Sequence, residues 1–131
     1  MSRENVEIVL MSLDPNRVDD SFIAQYCEPG VEIHDEPTMP DARVWRGHAG
    51  MREFIAELDQ RWAEFNVHPE RFVEAPTRLW LSERNAGGKR SGVDLEAWPW
   101  AAVYELRECR FTRIRFFHDP ADALDAGGLR E

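Results

Sequence analysis

The residues best suited to chemistry lie in one short stretch, residues 31–37 (VEIHDEP). Val31, Ile33 and Asp35 occupy alternate positions, and alternate side chains of a β-strand point to the same face. If the two apolar residues face the core, Asp35 faces it too. A buried carboxyl group needs a partner or stays neutral, which suits a general acid or base. The alternative is a structural carboxylate that caps the following loop or pairs with an arginine.

His34 is the second candidate for proton transfer. By the same alternation it shares the opposite face with Glu32 and Glu36, unless a bulge at the end of the strand turns it inward. Three consecutive strand residues cannot converge on one metal ion, so no metal site is predicted. The sequence also lacks a P-loop, a dinucleotide fingerprint and a nucleophile elbow. We therefore expect no cofactor.

Length and charge limit the possible functions. A chain of 131 residues is expected to form one domain, residues 1–131, with its own core. Its net charge of −9 argues against nucleic acid and against anionic membranes as partners. The absence of a signal-like segment and of a long apolar run predicts a cytoplasmic protein. In that compartment Cys27 and Cys109 are expected to be free thiols, a disulfide being the alternative.

Helical spacing and capping residues predict four helices. The first covers about residues 3–13, and a second follows the N-cap candidates Asp19 and Asp20. A terminal helix is expected to begin at Asp119-Pro120 and to end at Gly127. The longest helix has one apolar stripe, expected to be buried against the sheet: Met51, Phe54, Ile55, Leu58 and Trp62.

The remaining periodicity is that of strands. Glu28-Pro29-Gly30 predicts a turn before a first strand over residues 31–37, and four more strands are expected near 66–74, 78–85, 92–107 and 110–118. The turn at 107–110 lacks Asn-Gly or Asp-Gly, so a loose connection is expected there. No role is evident for the loop 86–92. This order predicts an α+β fold with a mainly antiparallel sheet covered on one face.

An aromatic row indicates where a ligand pocket would lie. Trp98, Trp100, Ala102 and Tyr104 alternate along one strand, although Pro99 implies an edge position or a bulge there. Packing against the long helix is one explanation of this row, and lining a pocket is the other. The predicted ligand-binding residues are Trp45, Phe54, Leu58, Trp62, Trp98, Trp100, Ala102 and Tyr104.

Four segments together resemble the SnoaL-like branch of the nuclear transport factor 2-like superfamily: residues 4–9 (ENVEIV), 31–35 (VEIHD), 45–54 (WRGHAGMREF) and 116–119 (FFHD). The resemblance implies a curved, mixed sheet that forms a cone around the N-terminal helices and the long helix. It also implies an apolar pocket at the open end and a homodimer formed through the sheet. An apolar outer face carrying Val103, Phe111 or Phe117 would favour the same dimer.

The resemblance also bears on activity. The catalytic base of ketosteroid isomerases in this superfamily matches Asp35, but Met11 and Ala102 stand where those enzymes have hydrogen-bond donors. The related epoxide hydrolases need Asp, Arg and Asp side chains converging from neighbouring strands. The strand containing Ala102 has no charged residue on its aromatic face. We therefore expect the protein to bind a small, largely apolar organic molecule. Asp35 would supply cofactor-free acid–base catalysis of the isomerase, cyclase or dehydratase type. The alternative is a non-catalytic ligand-binding or dimerisation module.

Overall fold

The structure is a computed structural model that describes residues 3–35, 42–61, 67–85 and 98–129. Its helices are α1 (Arg3–Ser12), α2 (Asp20–Tyr26), α3 (Gly47–Arg61) and α4 (Pro120–Gly127), with a 3-10 turn at Pro15–Arg17. Its strands are β1 (Cys27–His34), β2 (Val44–Arg46), β3 (Val67–Glu74), β4 (Arg78–Asn85), β5 (Trp98–Arg107) and β6 (Arg110–Phe117). In these parts of the chain, no helix combines the length and the apolar character needed to cross a membrane.

Local side chains explain where two of the helices begin. The Asp19 carboxylate accepts from the backbone N–H of Phe22 at 2.9 Å, and that of Asp119 accepts from Ala121 at 2.9 Å. Both bonds satisfy amides that have no partner within the helix. Helix α4 ends at Gly127, as predicted, and is capped by Gly128, whose φ of 66° suits a residue without a side chain. The predicted helix starts are confirmed.

The strands form one open sheet in the order β2-β1-β6-β5-β4-β3. Strands β1 and β6 are parallel, whereas the other neighbouring pairs are antiparallel. The predicted α+β fold with a mixed, mainly antiparallel sheet is therefore confirmed. Because parallel strands run in the same direction, β1 and β6 end at the same edge of the sheet.

The structure corrects two local predictions and adds one strand. Pro29 and Gly30 lie inside β1 rather than in a turn, and a register shift between Cys27 and Glu32 accommodates them. The three-residue strand β2 was not predicted, because it is too short to show a period. The β5–β6 turn is tight rather than loose: Glu108 and Cys109 have φ angles of 52° and 62°, which suits the twist of a two-residue hairpin.

Each face of the sheet has its own apolar layer. On the inner face, which α1, α2 and α3 cover, the main core contains Val31, Ile33, Leu79, Leu81, Ala102, Tyr104, Leu106, Phe111 and Ile114. From the predicted stripe of α3, Met51 is buried, and Phe54, Ile55 and Leu58 are half-buried. On the outer face, α4 covers a smaller cluster: Trp80, Ala101, Val103 and Ala123.

This arrangement corrects the prediction of an apolar outer face. Phe111 belongs to the inner core, and Val103 is fully buried within the cluster that α4 completes. Phe117 alone among the three is partly exposed and packs at the margin of the outer cluster. The chain thus covers most of this apolar surface with its own helix. The homodimer stays a prediction that the resemblance implies.

Candidate functional site

Asp35 directly follows β1 at the inner face of the sheet. Val31 and Ile33 are completely buried, whereas Asp35, two positions further on, is half-buried. The backbone N–H of Asp35 donates to the carbonyl of Arg43 at 3.0 Å, which continues the regular β1–β2 pairing by one step. Asp35 therefore keeps the same face as Ile33, as the alternation in the sequence predicts.

Strand β2 places Trp45 on the same face as Asp35. Trp45 is the register partner of Ile33 and is only 3% exposed. Gly50 permits this position, because a Cβ at Gly50 would lie 2.9 Å from the carbonyl carbon of Trp45. Diagonal neighbours on one face of an antiparallel pair are typically about 7–8 Å apart. Asp35 and Trp45 are therefore close neighbours on this face of the sheet.

Arg43 connects the beginning of β2 to helix α3. Its guanidinium group donates to Glu57, forms an ion pair with Glu53 at 3.5 Å and lies 4.9 Å from the centre of the Trp45 ring. The contact with the ring is a cation–π interaction. The charge of Arg43 is thus balanced by two carboxylates of α3, and its main structural effect is to hold Trp45 in place.

Three rings form an inner aromatic row. The Phe54 ring meets the Trp45 ring edge-on at a centroid distance of 5.1 Å and stacks on the Phe116 ring at 5.4 Å. Ala102 and Tyr104 are buried in the same core, and Leu58 is half-buried on α3. These predicted binding residues therefore share one side of the sheet with Asp35.

The structure does not describe the side chains of three predicted binding residues, Trp62, Trp98 and Trp100. Trp62 lies outside the residues that the structure describes. Trp98 and Trp100 belong to β5, where their backbones pair with Asn85 and Glu83, but their side chains are not described. Their part in a ligand pocket stays a prediction.

A groove of about 310 Å³ crosses the ends of β1 and β6 next to Asp35. His34 and Arg115 are register partners there, and the residues that follow them point to the other face. The groove therefore extends from the inner to the outer face. We call it the Asp35 groove, and it is lined by His34, Asp35, Ala42, Arg43, Val44, Arg115, Phe116, Phe117 and Ala126.

His34 lies on the outer side of β1 together with Glu32. Its Nε2 atom is 2.8 Å from a carboxylate oxygen of Glu32, and Arg46 approaches the other oxygen at 3.7 Å. The hydrogen bond from His34, together with the nearby positive charges, lowers the pKa of Glu32. Among the described residues, no three histidine, cysteine, aspartate or glutamate side chains are grouped as a metal site requires.

A second charged cluster lies further along the outer face. Arg113 donates two hydrogen bonds to Glu105, and Arg78 forms an ion pair with it at 3.4 Å. Burial alone raises the pKa of Glu105, but the hydrogen bonds and charge of Arg113, with Arg115 and Arg78, outweigh burial and lower it. Two of these arginines also hold α4, since Arg78 donates to the Gly127 carbonyl at 2.8 Å and Arg115 to that of Ala126 at 3.2 Å.

The order of elements, the mixed sheet and the acid at the end of β1 agree with one known family. Residues 15–114 match the SnoaL-like domain. The chain belongs to the SnoaL-like family. No curated protein matches its sequence.

Solved structures share the fold of this SnoaL-like protein at low sequence identity. One is a nuclear transport factor 2-like protein of unknown function from Burkholderia pseudomallei, 19% identical, with 95% of this chain and 97% of that chain covered and a TM-score of 0.76. Another is TerC, co-crystallised with polyporic acid, 19% identical, with coverage of 91% and 94% and a TM-score of 0.71. A third is a hypothetical protein with a ketosteroid isomerase-like fold from Catenulispora acidiphila, in complex with trimethylamine: 15% identical, coverage 95% and 94%, TM-score 0.70.

Sequence reasoning missed three residues of this SnoaL-like site. Phe116 belongs to the segment 116–119, but nothing in the sequence pairs it with Phe54. Arg43 and Arg115 resemble ordinary surface arginines, because their roles depend on Glu57 and on the register with His34. Strand alternation is sufficient to place Asp35 on the inner face. Placing Phe116, Arg43 and Arg115 at the site requires contacts with residues that are distant in the sequence.

Trp45 has a buried hydrogen-bond donor, at neither of the two positions where the related isomerases have theirs. Met11 and Ala102, at the expected donor positions, are respectively half-buried and fully buried in the core, and neither side chain can donate. The indole Nε1–H of Trp45 is buried and has no hydrogen-bond partner among the residues that the structure describes. A buried donor without a partner costs about 1–3 kcal/mol. Trp45 does not line the Asp35 groove, so this cost falls on the stability of the fold.

Replacing Trp45 with Phe is expected to destabilise the protein less than replacing Trp80 with Phe. Both tryptophans are almost completely buried, but the Nε1–H of Trp80 donates to the Pro120 carbonyl at 3.0 Å. The two changes remove similar ring area, so the satisfied bond should add about 1–3 kcal/mol to the loss at Trp80. Urea unfolding of both variants measures this difference. Equal losses would mean that the Trp45 N–H already has a partner.

Proposed function

We propose that this SnoaL-like protein binds one small, largely apolar organic molecule in the Asp35 groove and that Asp35 transfers a proton to or from it. One observation carries this proposal: a half-buried carboxyl group lies beside Phe116, at the end of the inner aromatic row. Ligand sites typically combine apolar walls with a few converging polar groups in a volume of about 300–1,000 Å³. The groove, at about 310 Å³, lies at the small end of that range.

The chemistry we propose is cofactor-free acid–base catalysis of the isomerase, cyclase or dehydratase type. The Asp35 carboxylate would accept a proton from carbon or oxygen and return it elsewhere on the ligand. TerC and the protein from Catenulispora acidiphila were solved with small organic molecules, which supports the proposed class of ligand.

A non-catalytic ligand-binding module is the second candidate. Met11 and Ala102 favour it, because the donors that the related isomerases use are replaced by side chains that cannot donate. A homodimer and a cytoplasmic location complete the proposal. Free Cys27 and Cys109 are compatible with a reducing compartment, and burial raises the pKa of Cys27 to about 12, which disfavours its thiolate form.

Filling the groove tests the site directly. Val44 lines the groove and is 38% exposed, so Val44→Trp is expected to obstruct it without disturbing the core. Leu10→Trp is the matched control, because Leu10 is 43% exposed on α1 and does not line the groove. Native mass spectrometry should detect a small organic molecule bound to the wild-type protein and to Leu10→Trp but not to Val44→Trp. Retention of the molecule by Val44→Trp would refute this location.

A further inference from the structure

Arg115 is the charged residue of the Asp35 groove whose interactions are least complete. It lies on β6 opposite His34, and one of its terminal nitrogens donates to the Ala126 carbonyl at 3.2 Å. Its Nε atom is buried and has no hydrogen-bond partner among the described residues. This carbonyl bond holds α4, and no carboxylate within the described ranges accepts a hydrogen bond from the rest of the guanidinium group.

No ion pair balances the positive charge of Arg115 among the residues that the structure describes. Within the described parts of the chain, no carboxylate lies within ion-pair distance of it, and Glu105 is engaged by Arg113 and Arg78. Burial, with the like charges of Arg113 and Arg78, lowers the pKa of Arg115 and outweighs the opposing effect of Glu105. An unbalanced, partly buried cation is unfavourable, and it stands out in a chain whose net charge is −9.

The other residues of the groove determine what kind of anion fits. Arg43, the second arginine in the wall, is already paired with Glu57 and Glu53 of α3. Asp35, at the inner end, would repel a second negative charge. An anion is therefore directed to the outer end, where Arg115 lies. The walls between the two ends are apolar: Ala42, Val44, Phe116, Phe117 and Ala126.

We propose that the ligand of the Asp35 groove is an organic carboxylate whose acid group binds Arg115 and whose apolar body lies along Val44, Phe116 and Phe117. This inference rests on the proposed function and specifies its ligand class. A planar guanidinium group matches a carboxylate in shape and charge, and charge-assisted bonds of this kind are about twice as strong as neutral ones. The carboxylate would fix the orientation of the ligand, with its other end towards Asp35.

Phenylacetate and phenylacetamide form a matched pair of probes, because they differ mainly in charge. In phosphate-free buffer, ¹H–¹⁵N spectra of arginine side chains should show phenylacetate shifting the Nε–H signal of Arg115. We expect at least about tenfold weaker binding of phenylacetamide, which corresponds to about 1.4 kcal/mol. Arg115→Gln should lose the preference for phenylacetate. The control Arg110→Gln, an exposed residue of the same strand outside the groove, should keep it.

Each alternative result has a distinct meaning. Equal binding of the two probes, or no shift of the Arg115 signal at saturating phenylacetate, would overturn the carboxylate proposal. If both probes bound equally and both shifted signals of Val44 and Phe116, the carboxylate proposal would fail but the proposed function would stand. Inorganic phosphate binding as tightly as phenylacetate would reveal a simple anion site and would equally overturn the proposal. If Arg115→Gln unfolds because α4 loosens, the shift of the Arg115 signal and the preference for phenylacetate in the wild-type protein decide whether the proposal holds.

Discussion

Asp35→Asn is expected to lower the turnover of a substrate by about 10²–10⁴-fold, the usual contribution of a general acid or base. Asparagine has nearly the same shape as aspartate but cannot accept or release the proton. Because Asp35 is half-buried at the end of β1, removing its charge also removes a desolvation cost. If Asp35 serves proton transfer rather than as a structural anchor, the melting temperature should stay the same or rise. Steady-state kinetics on the ligand found by native mass spectrometry, together with thermal melting, measures both effects.

The combination of the two results separates the candidate functions. A variant that melts normally but does not turn over its substrate identifies Asp35 as the proton-transfer group. A loss of about 1–3 kcal/mol of stability would instead identify a structural carboxylate and favour the non-catalytic binding module. Asp122→Asn is the matched control: it is the same change at an exposed position in the first turn of α4, outside the groove. It should alter neither turnover nor, by more than a few tenths of a kcal/mol, stability.

The parts of the fold that were predictable from the sequence are those that local chemistry determines. Asp19 and Asp119 cap the helices that follow them through bonds to amides two or three residues away. The stripe of α3 repeats over several turns, so its period is visible without knowledge of the sheet. Strands β3, β4 and β6 likewise contain enough residues to show an extended pattern.

The parts that were not predictable depend on distant contacts. Strand β2 has only three residues, and it is a strand because Trp45 pairs with Ile33. Pro29 and Gly30 are typical of turns, yet pairing of β1 with β6 on one side draws them into a strand with a shifted register. The tight turn at Glu108 is likewise imposed by the strands that it connects.

The candidate site divides in the same way. Alternation along one strand was enough to select Asp35 and to place His34 beside Glu32 on the opposite face. The proposed role of Arg115 depends on three separate facts: its register with His34, the hydrogen bonds that Arg113 donates to Glu105, and the position of α4. None of these can be inferred from the residues next to Arg115 in the sequence.

Trp80→Ala is expected to destabilise the protein by about 3–5 kcal/mol, the usual loss when a buried tryptophan is truncated to alanine. Trp80 is only 2% exposed and fills the outer cluster between Val103 and Ala123 of α4. The change also removes its hydrogen bond to the Pro120 carbonyl and the contact of the Arg71 guanidinium, 5.7 Å from the ring centre. Urea unfolding measures the loss, with Phe72→Ala, at a 51% exposed position of β3, as a control expected to lose far less.

The same variant tests whether α4 or a second copy of the chain covers the outer face. If α4 covers this face, Trp80→Ala should loosen the helix, expose Val103 and promote self-association beyond that of the wild-type protein at the same concentration. Ligand binding in the Asp35 groove should weaken as well, since Ala126 of α4 is part of its wall. A loss of stability below about 1 kcal/mol would mean that α4 contributes little to this surface. The outer face would then be free for a partner copy, and light scattering of the wild-type protein should detect a dimer formed through the sheet.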